Sequence, residues 1–307
     1  MKSSRLLILI AVSIVSIDCA STSAPLAGSA AAAPAGHLLI VGGGPLPPPL
    51  LARFVELAGG PGTARIVVFP MASSDPEAGV EMTATLRKMG AEAERVSLDH
   101  AAADTDASAA RLANVTGIWF GGGDQALLTK ALGGTKTEAA IHQRYRAGAV
   151  VGGTSAGAAV MSTPMLTGDE KHPGGTRPPA KDSPDAYMTI ARDNVVTEAG
   201  FGLLPGAIVD QHFVRRRRNN RLFSLVLEHP ALVGVGIDES TAVEVEPDGT
   251  WRVLGASVAV VYDARKAAIT PPGAGPLGAS GVRIDVLPAG SRYDPKTGKT
   301  WLPVPGK

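Results

Sequence analysis

A serine flanked by small residues is the strongest chemical signal in the 307-residue sequence. The segment Gly153–Gly157 reads Gly-Thr-Ser-Ala-Gly, follows an apolar run and opens a stretch of small residues, which predicts a strand, a sharp turn and a helix. Such neighbours let the backbone turn sharply, so Ser155 would project at a helix N-terminus, where backbone N–H groups can stabilise an oxyanion. This context favours a nucleophile for acyl transfer over a glycine-rich turn with a capping serine.

A second glycine-rich loop, Gly121–Gly123, also lies between a predicted strand and a predicted helix. We expect a backbone N–H of Gly122 or Gly123 to form an oxyanion hole together with that of Ala156. The competing interpretation is a phosphate-binding turn, which is disfavoured because the loop lacks both the G-x-G-x-x-G pattern and a P-loop lysine. The earlier stretch Gly42–Gly44 is interpreted as a strand-ending turn that lines the same cleft.

Six histidines are candidates for the base that a nucleophilic serine requires. His212 follows the apolar run Ala207–Val209, which predicts that it lies at the carboxyl edge of the sheet together with Ser155. His37 starts a strand and is expected at the opposite edge. The others lie in helical segments or polar loops: His100, His142, His172 and His229. His212 is favoured, and His172 remains the alternative because its loop could reach the cleft.

A carboxylate is expected to orient this base and to stabilise its protonated form. Asp238 and Glu239 both follow the apolar run Val233–Ile237, and the sequence separates them poorly. If the strand continues extended, their side chains point in different directions. The chain order of serine, histidine and acid differs from the serine, aspartate, histidine order of α/β-hydrolases, which argues against a lipase or esterase.

Five arginines occur in the seven residues 215–221. Helical spacing places Arg218 and Arg221 on one face, while Arg215 and Arg217 point away. A subset directed into the cleft would bind substrate carboxylates through two hydrogen bonds each. A nucleic-acid site is disfavoured because the net charge is only +1 and aromatic residues make up 4% of the chain.

Short apolar runs bounded by Gly, Pro or Asp must position these side chains. The predicted strands are His37–Val41, Arg65–Phe69, Gly117–Phe120, Ala149–Val151, Ala207–Val209 and Val233–Ile237. The predicted helices between them are Val80–Met89, Gln125–Leu132, Glu138–Arg146 and Arg217–Leu227. This alternation predicts a mostly parallel sheet covered on both faces.

The remaining segments do not follow this alternation of strands and helices. Alternating strands at Ala242–Val245, Trp251–Leu254 and Val258–Tyr262 are predicted as hairpins at the far edge of the sheet. The tail from Ala264 is predicted as mostly loop, with one strand at Val282–Val286. The polar, Pro- and Gly-rich segment Pro164–Ala199 is interpreted as a long excursion that flanks the site.

The N-terminus has the order of a secretory signal peptide. Lys2 and Arg5 precede the apolar run Leu6–Ile17, which is too short to cross a bilayer, and small residues follow through residue 33. We therefore expect export to the periplasm or the medium, with cleavage near Ser21 or within 29–33 and a single domain at 34–307. The alternative is a lipid anchor on Cys19, disfavoured by Asp18. With one cysteine, an intrachain disulfide framework and a thiolate metal cluster are excluded.

Taken together, these motifs resemble those of peptidase family S51. Their order and spacing agree with those of the family over about residues 37–295. The matching stretches are Phe120–Gln125, Gly153–Ala158, Asp210–Phe213 with Arg216, Arg218 and Arg221, Gly236–Ala242 and Val286–Gly290. The resemblance implies a three-layer α/β/α sandwich with a mostly parallel central sheet, similar to class I glutamine amidotransferases. It also implies a triad of Ser155, His212 and Glu239 that needs neither metal nor cofactor.

The resemblance further implies a substrate. Members of the family hydrolyse cyanophycin, a poly-aspartate with arginine on each β-carboxyl, to β-Asp-Arg dipeptides through an acyl-enzyme. The residues that would form the substrate pocket are Gln125, Asp210, Gln211, Arg216, Arg218 and Arg221. An exported form looks like a scavenger of polymer released by other cells, whereas the Pro164–Ala199 segment does not match the family closely.

Three other functions and the oligomeric state stay open at this point. One is an aspartyl or isoaspartyl dipeptidase of the same family, and another is a non-catalytic periplasmic binding protein for anionic ligands. Glutamine amidotransfer is disfavoured because it would need a cysteine nucleophile, and Cys19 lies in the signal segment. A homodimer is compatible with the sequence.

Overall fold

Strands and helices alternate along most of the described chain. The computed structural model describes residues 34–171, 186–273 and 276–304, all of which belong to the unit Ala33–Lys307. The predicted signal segment and His172 therefore lie outside the described residues. The strands are β1 (Leu38–Val41), β2 (Arg65–Phe69), β3 (Glu92–Arg95), β4 (Gly117–Phe120), β5 (Val150–Thr154), β6 (Met165–Glu170), β7 (Val195–Glu198), β8 (Ala207–Gln211), β9 (Val233–Ile237), β10 (Thr241–Val245), β11 (Trp251–Gly255), β12 (Val258–Asp263), β13 (Ala268–Ile269), β14 (Ala279–Ser280), β15 (Arg283–Pro288), β16 (Arg292–Asp294) and β17 (Lys299–Trp301). The helices are α1 (Pro48–Leu57), α2 (Val80–Lys88), α3 (His100–Ala103), α4 (Asp106–Ala110), α5 (Gln125–Leu132), α6 (Lys136–Arg146), α7 (Ala156–Ala159) and α8 (Asn219–Glu228).

The larger sheet is parallel at one half and antiparallel at the other. Within the described ranges it has nine strands in the order β17-β16-β11-β10-β1-β5-β4-β2-β3. Strands β1, β5, β4, β2 and β3 run parallel to one another. Strands β10, β11, β16 and β17 extend the sheet by antiparallel pairing. The carboxyl ends of β1, β5 and β4 consequently meet at one edge, where such sheets bind ligands.

Helices cover both faces of this sheet. Successive residues of β1 point to opposite faces, so Leu38 packs into one apolar core and Leu39 into another. Helices α5 and α6 add Leu128 and Ile141 to the first core, whereas Phe54 of α1 belongs to the second, together with apolar residues of α2. These are the three layers of an α/β/α sandwich with a mostly parallel central sheet, and the predicted fold class is confirmed.

A smaller sheet holds the strands that follow the 164–199 segment. Among the described residues its order is β15-β12-β9-β8, with β8 and β9 parallel and the other pairs antiparallel. The predicted hairpin is found for β10 and β11, which pair antiparallel in the larger sheet. The placement of all three strands in one sheet is wrong, because β12 belongs to the smaller one. The tail contains β13–β17, of which only β15 was predicted. Apolar alternation identifies strands but carries no information on their order.

The predicted excursion Pro164–Ala199 contains a two-stranded antiparallel sheet of β6 and β7. It contacts the site-bearing part of the fold, since the Gln125 side chain of α5 donates a hydrogen bond to the Leu166 carbonyl, 2.6 Å away. Residues 172–185 of the excursion lie outside the described ranges. None of the helices in those ranges has both the length and the apolar character required to cross a bilayer.

Candidate active site

Ser155 occupies a sharp turn between β5 and α7. Its φ of +55° and ψ of −111° lie in a region that residues with a side chain rarely adopt, and such strain is concentrated at functional sites. The flanking glycines make the turn possible. A Cβ at Gly153 would lie 2.3 Å from the Gly157 carbonyl oxygen, and one at Gly157 would lie 2.3 Å from that of Phe120. The predicted strand, turn and helix around this serine are confirmed.

The His212 imidazole lies between Ser155 and Glu239. Its Nε2 is 2.8 Å from the Ser155 hydroxyl oxygen, and its Nδ1 is 2.7 Å from Glu239 Oε1. Because a carboxylate can only accept, Nδ1 carries the proton and donates it to Glu239, which leaves Nε2 free to accept from the serine hydroxyl. The three side chains thus form one continuous hydrogen-bonded chain, the arrangement that activates a serine hydroxyl.

Burial is the largest influence on the protonation of His212. It lowers the pKa of the imidazole below its ordinary value of 6.5, and the positive charges of Arg216 and Arg218 lower it further, while the hydrogen bond to Glu239 opposes the shift. The imidazole is therefore neutral at neutral pH. In that state it can take a proton from the serine.

The glycine turn after β1 holds the histidine and glutamate segments together. The Gly42 carbonyl accepts the His212 N–H at 2.6 Å, and the Gly43 carbonyl accepts the Ser240 N–H at 2.9 Å. Gly43 has a φ of +101°, and a Cβ there would lie 2.4 Å from the imidazole. The sequence predicts a turn that lines the cleft, but it does not predict this contact. The available signal was the run of three glycines directly after a strand.

Asp238, the alternative orienting acid, faces away from the imidazole. Its carboxylate accepts hydrogen bonds from the Arg215 N–H at 2.9 Å and from the Ser257 hydroxyl at 2.7 Å. Burial alone would raise the pKa of Asp238, but these hydrogen bonds outweigh it and hold the pKa below its ordinary value. The carboxylate in contact with His212 is that of Glu239.

The other described histidines lie on elements away from this chain of hydrogen bonds. His37 precedes β1 with its Nδ1 3.2 Å from Glu244, and His142 lies on α6. His229 ends α8, and His100 starts α3, where a polar loop was expected. Nor do the described residues contain three His, Cys, Asp or Glu side chains grouped so that they could hold a metal ion.

The predicted oxyanion-hole residues surround the Ser155 turn. Ala156 is the first residue of α7, and a Cβ at Gly122 would lie 3.4 Å from the Ser155 Cβ. The amide of Ser155 donates to the Val41 carbonyl and that of Gly121 to the Phe69 carbonyl, each at 3.0 Å. Gly123 packs against the backbone of Ala72, with which a Cβ would collide at 2.2 Å.

Most of the predicted substrate-binding residues have buried polar side chains. Their exposed fractions are 4% for Gln125, 0% for Asp210, 5% for Gln211, 7% for Arg218 and 2% for Arg221. Both carboxylate oxygens of Asp210 accept hydrogen bonds from Arg221, one of them at 2.7 Å. Arg218 donates to the backbone carbonyl of Gln211 at 2.9 Å and also to its side-chain oxygen. Arg216 is exposed.

The buried Asp210–Arg221 pair leads to a prediction on stability. Arg221→Met keeps much of the side-chain volume but removes the hydrogen bonds that Arg221 donates to the buried Asp210 carboxylate and leaves it the more distant cation of Arg218, 4.0 Å away, so we expect a loss of about 3–5 kcal/mol in the free energy of unfolding. The control is Arg111→Met, which breaks a surface pair with Glu94 whose side chains are 45% and 54% exposed and should cost at most ~1 kcal/mol. Urea titration measures both. Equal losses would contradict the prediction.

Comparisons with known proteins identify the family of the chain. The model of peptidase family S51 matches residues 38–253, more than half of the chain. The cyanophycinase of Synechococcus elongatus is 36% identical over 256 residues, which are 81% of this chain and 74% of the relative. That of Geminocystis herdmanii is 33% identical over 256 residues, covering 81% of this chain and 88% of the relative.

A solved structure shows the same fold. The crystal structure of a peptidase from an acI-B1 Actinobacterium superposes with a TM-score of 0.61 at 21% sequence identity, covering 84% of this chain and 96% of that one. At this identity the likeness supports the architecture alone, whereas the family match and the curated relatives support the enzyme class. The protein is thus a serine-type peptidase, and its chain belongs to peptidase family S51.

Proposed function

We propose that the protein is an exported serine exopeptidase that hydrolyses cyanophycin to β-Asp-Arg dipeptides. The observation that carries the proposal is the chain of contacts from Ser155 through His212 to Glu239, with distances of 2.8 and 2.7 Å. Support for the substrate comes from the relatives, which are named cyanophycinases. The exposed Arg216 and the buried arginines behind it suit a polymer that carries a free carboxylate on every arginine.

In the proposed mechanism the Ser155 oxygen attacks the carbonyl carbon of an Asp–Asp peptide bond while its proton passes to His212 Nε2. Glu239 stabilises the imidazolium that forms. The N–H groups of Gly122 and Ala156 would stabilise the oxyanion, because the amides of Ser155 and Gly121 already donate to strand carbonyls. His212 then protonates the leaving amine and an acyl-enzyme remains. Water, deprotonated by His212, cleaves the ester and regenerates the hydroxyl.

For substrate binding we assign the direct carboxylate contact to Arg216, whose side chain is exposed. Arg218 and Gln211 lie behind it and bond to each other. Asp210 and Arg221 satisfy one another and are proposed to shape the wall of the pocket. Gln125 would connect this wall to the 164–199 segment through Leu166.

The activity should depend on pH through His212. Only the neutral imidazole accepts the serine proton, so kcat/KM is expected to fall as the pH drops through the pKa of His212 and to be level between that pKa and neutral pH. Because burial lowers this pKa, the midpoint should lie below 6.5. A pH–rate profile with a soluble substrate measures it. An acidic midpoint above 6.5 would contradict the prediction.

Mass spectrometry of the products released from cyanophycin tests the proposed function. We expect β-Asp-Arg to accumulate as the main product. Intact polymer together with rapid cleavage of Asp-X or β-Asp-X dipeptides would replace the proposal with a dipeptidase of the same family. Saturable polymer binding without any product, and no labelling of Ser155 by a serine-directed acylating reagent, would favour a binding protein.

Cell fractionation tests the proposed export. The expected outcome is protein in the periplasm or medium with a mature N-terminus near residue 21 or between 29 and 34. A mature N-terminus at Cys19 with a lipid attached would instead support the anchored form. Full-length protein in the cytoplasm would contradict export.

A further inference from the structure

A cleft that the proposed mechanism leaves unused adjoins the Ser155 turn. It has a volume of about 440 Å³ and opens on the side of the larger sheet that α1 and α2 cover. Three of its wall residues touch the triad or its neighbours. Thr154 precedes Ser155, a Cβ at Gly122 would lie 3.4 Å from the Ser155 Cβ, and one at Gly44 would lie 2.8 Å from Glu239. One end of this cleft therefore adjoins the turn that carries the reacting hydroxyl.

The walls of the cleft combine apolar side chains with polar groups, among them the hydroxyls of Thr85 and Thr154, and carry one ionisable side chain. Leu46, Met82 and Trp119 provide surface for an aliphatic chain. Glu81 is the single ionisable side chain among the described wall residues, and it is exposed in the first turn of α2. A cleft with these apolar side chains in its wall and a carboxylate at an exposed position suits a side chain that is aliphatic along its length and cationic at its end.

The charges on the two sides of the serine are opposite. Arg216 and the buried Arg218 lie on the histidine side, close enough to lower the pKa of His212. Glu81 lies on the side of α2. The guanidinium of Arg95 is held at the turn before α2, where it donates to the carbonyls of Ala78, at 2.7 Å, and Pro76. A ligand carrying a cation and a carboxylate at separate ends matches this pattern.

We propose that this cleft is the subsite for an arginine side chain of the substrate, with the methylene groups on Leu46, Met82 and Trp119 and the guanidinium on Glu81. The inference rests on the proposed function, and it adds the location at which the cationic group is recognised. Each arginine of cyanophycin carries a guanidinium and a free carboxylate. The first would enter this cleft, while the carboxylates would be drawn to the arginines across Ser155.

Binding measurements on a protein that cannot turn over its ligand test the subsite. The parent protein for these measurements carries Ser155→Ala. The probes are the dipeptides β-Asp-Arg and β-Asp-Leu, and their binding is titrated by calorimetry. Adding Glu81→Gln should weaken β-Asp-Arg binding by about three- to tenfold, the range for a partly exposed ion pair, and Glu81→Lys should weaken it more. Neither change should weaken β-Asp-Leu.

Glu92→Gln serves as the matched control, because Glu92 is an 82% exposed carboxylate on β3 and does not line the cleft. It should leave the affinity for both dipeptides unchanged. Equal affinity of the Glu81→Gln and parent proteins for β-Asp-Arg would overturn the inference. So would failure of the parent to bind β-Asp-Arg while the wild type degrades cyanophycin. If the wild type leaves cyanophycin intact and the parent binds neither dipeptide, the proposed function itself fails.

Discussion

Replacing Ser155 by alanine is expected to lower kcat on cyanophycin by about four to six orders of magnitude, while the protein still binds the polymer. The hydroxyl supplies the oxygen that bonds to the carbonyl carbon, and no other described side chain occupies its place 2.8 Å from His212 Nε2. The fold should persist, because the Ser155 backbone keeps its hydrogen bond to Val41 and alanine has a smaller side chain. Dipeptide release, followed by chromatography, measures the loss.

The control for this substitution is Ser280→Ala, which removes a hydroxyl from an exposed residue of β14. Its activity should equal that of the wild type. Dipeptide release by Ser155→Ala at more than a few per cent of the wild-type rate would remove the serine from the mechanism. The remaining candidate would then be direct attack by water with His212 as the base.

Gly43→Ala should lower kcat by about a hundredfold or more, although Gly43 supplies no reacting group. A Cβ at this position would lie 2.4 Å from the imidazole, so His212 must move away from Ser155. Displacement of a catalytic group by 1 Å costs roughly a hundredfold in rate. The substrate-binding residues are untouched, and KM should change much less than kcat.

Gly60→Ala is the matched control for the backbone. Gly60 has a φ of +83°, and a Cβ there would have no other atom within 4 Å, so alanine meets the same unfavourable left-handed conformation without a collision. The left-handed backbone should cost each variant about 1–2 kcal/mol of stability, the collision should add to the loss of Gly43→Ala, and only Gly43→Ala should lose activity. Similar kcat values for the two variants would show that the glycine turn does not hold the imidazole.

The strands that carry the site were predictable because each contains a short apolar run, although β5 and β8 extend past their predicted runs to Thr154 and Gln211. Val233–Ile237 and Gly117–Phe120 have the predicted bounds. The expectation that His212 follows a parallel strand and meets Ser155 agrees with the hydrogen bond between their side chains. The expectation that both lie at the edge of one sheet is wrong, because β8 belongs to the smaller sheet and β5 to the larger one.

Contacts between distant segments were not predictable from local pattern. The strand β3 was missed because three residues of Glu92–Arg95 are charged, which is permitted only because it is an edge strand of the larger sheet. The choice between Asp238 and Glu239 depends on the partners that Asp238 finds in Arg215 and Ser257. Hydrogen bonds of this kind join residues of separate segments, so the spacing of residues in the sequence does not predict them.

The attachment of His212 and Ser240 to the turn after β1 has a consequence for heat inactivation. Their amides donate to the carbonyls of Gly42 and Gly43, directly after a strand whose four residues are all buried between two neighbours. Interior strands open only when the whole domain unfolds, unlike edges and surface loops. On slow heating, the catalytic groups should therefore stay aligned until cooperative melting begins, so that activity and secondary structure disappear over the same interval of temperature.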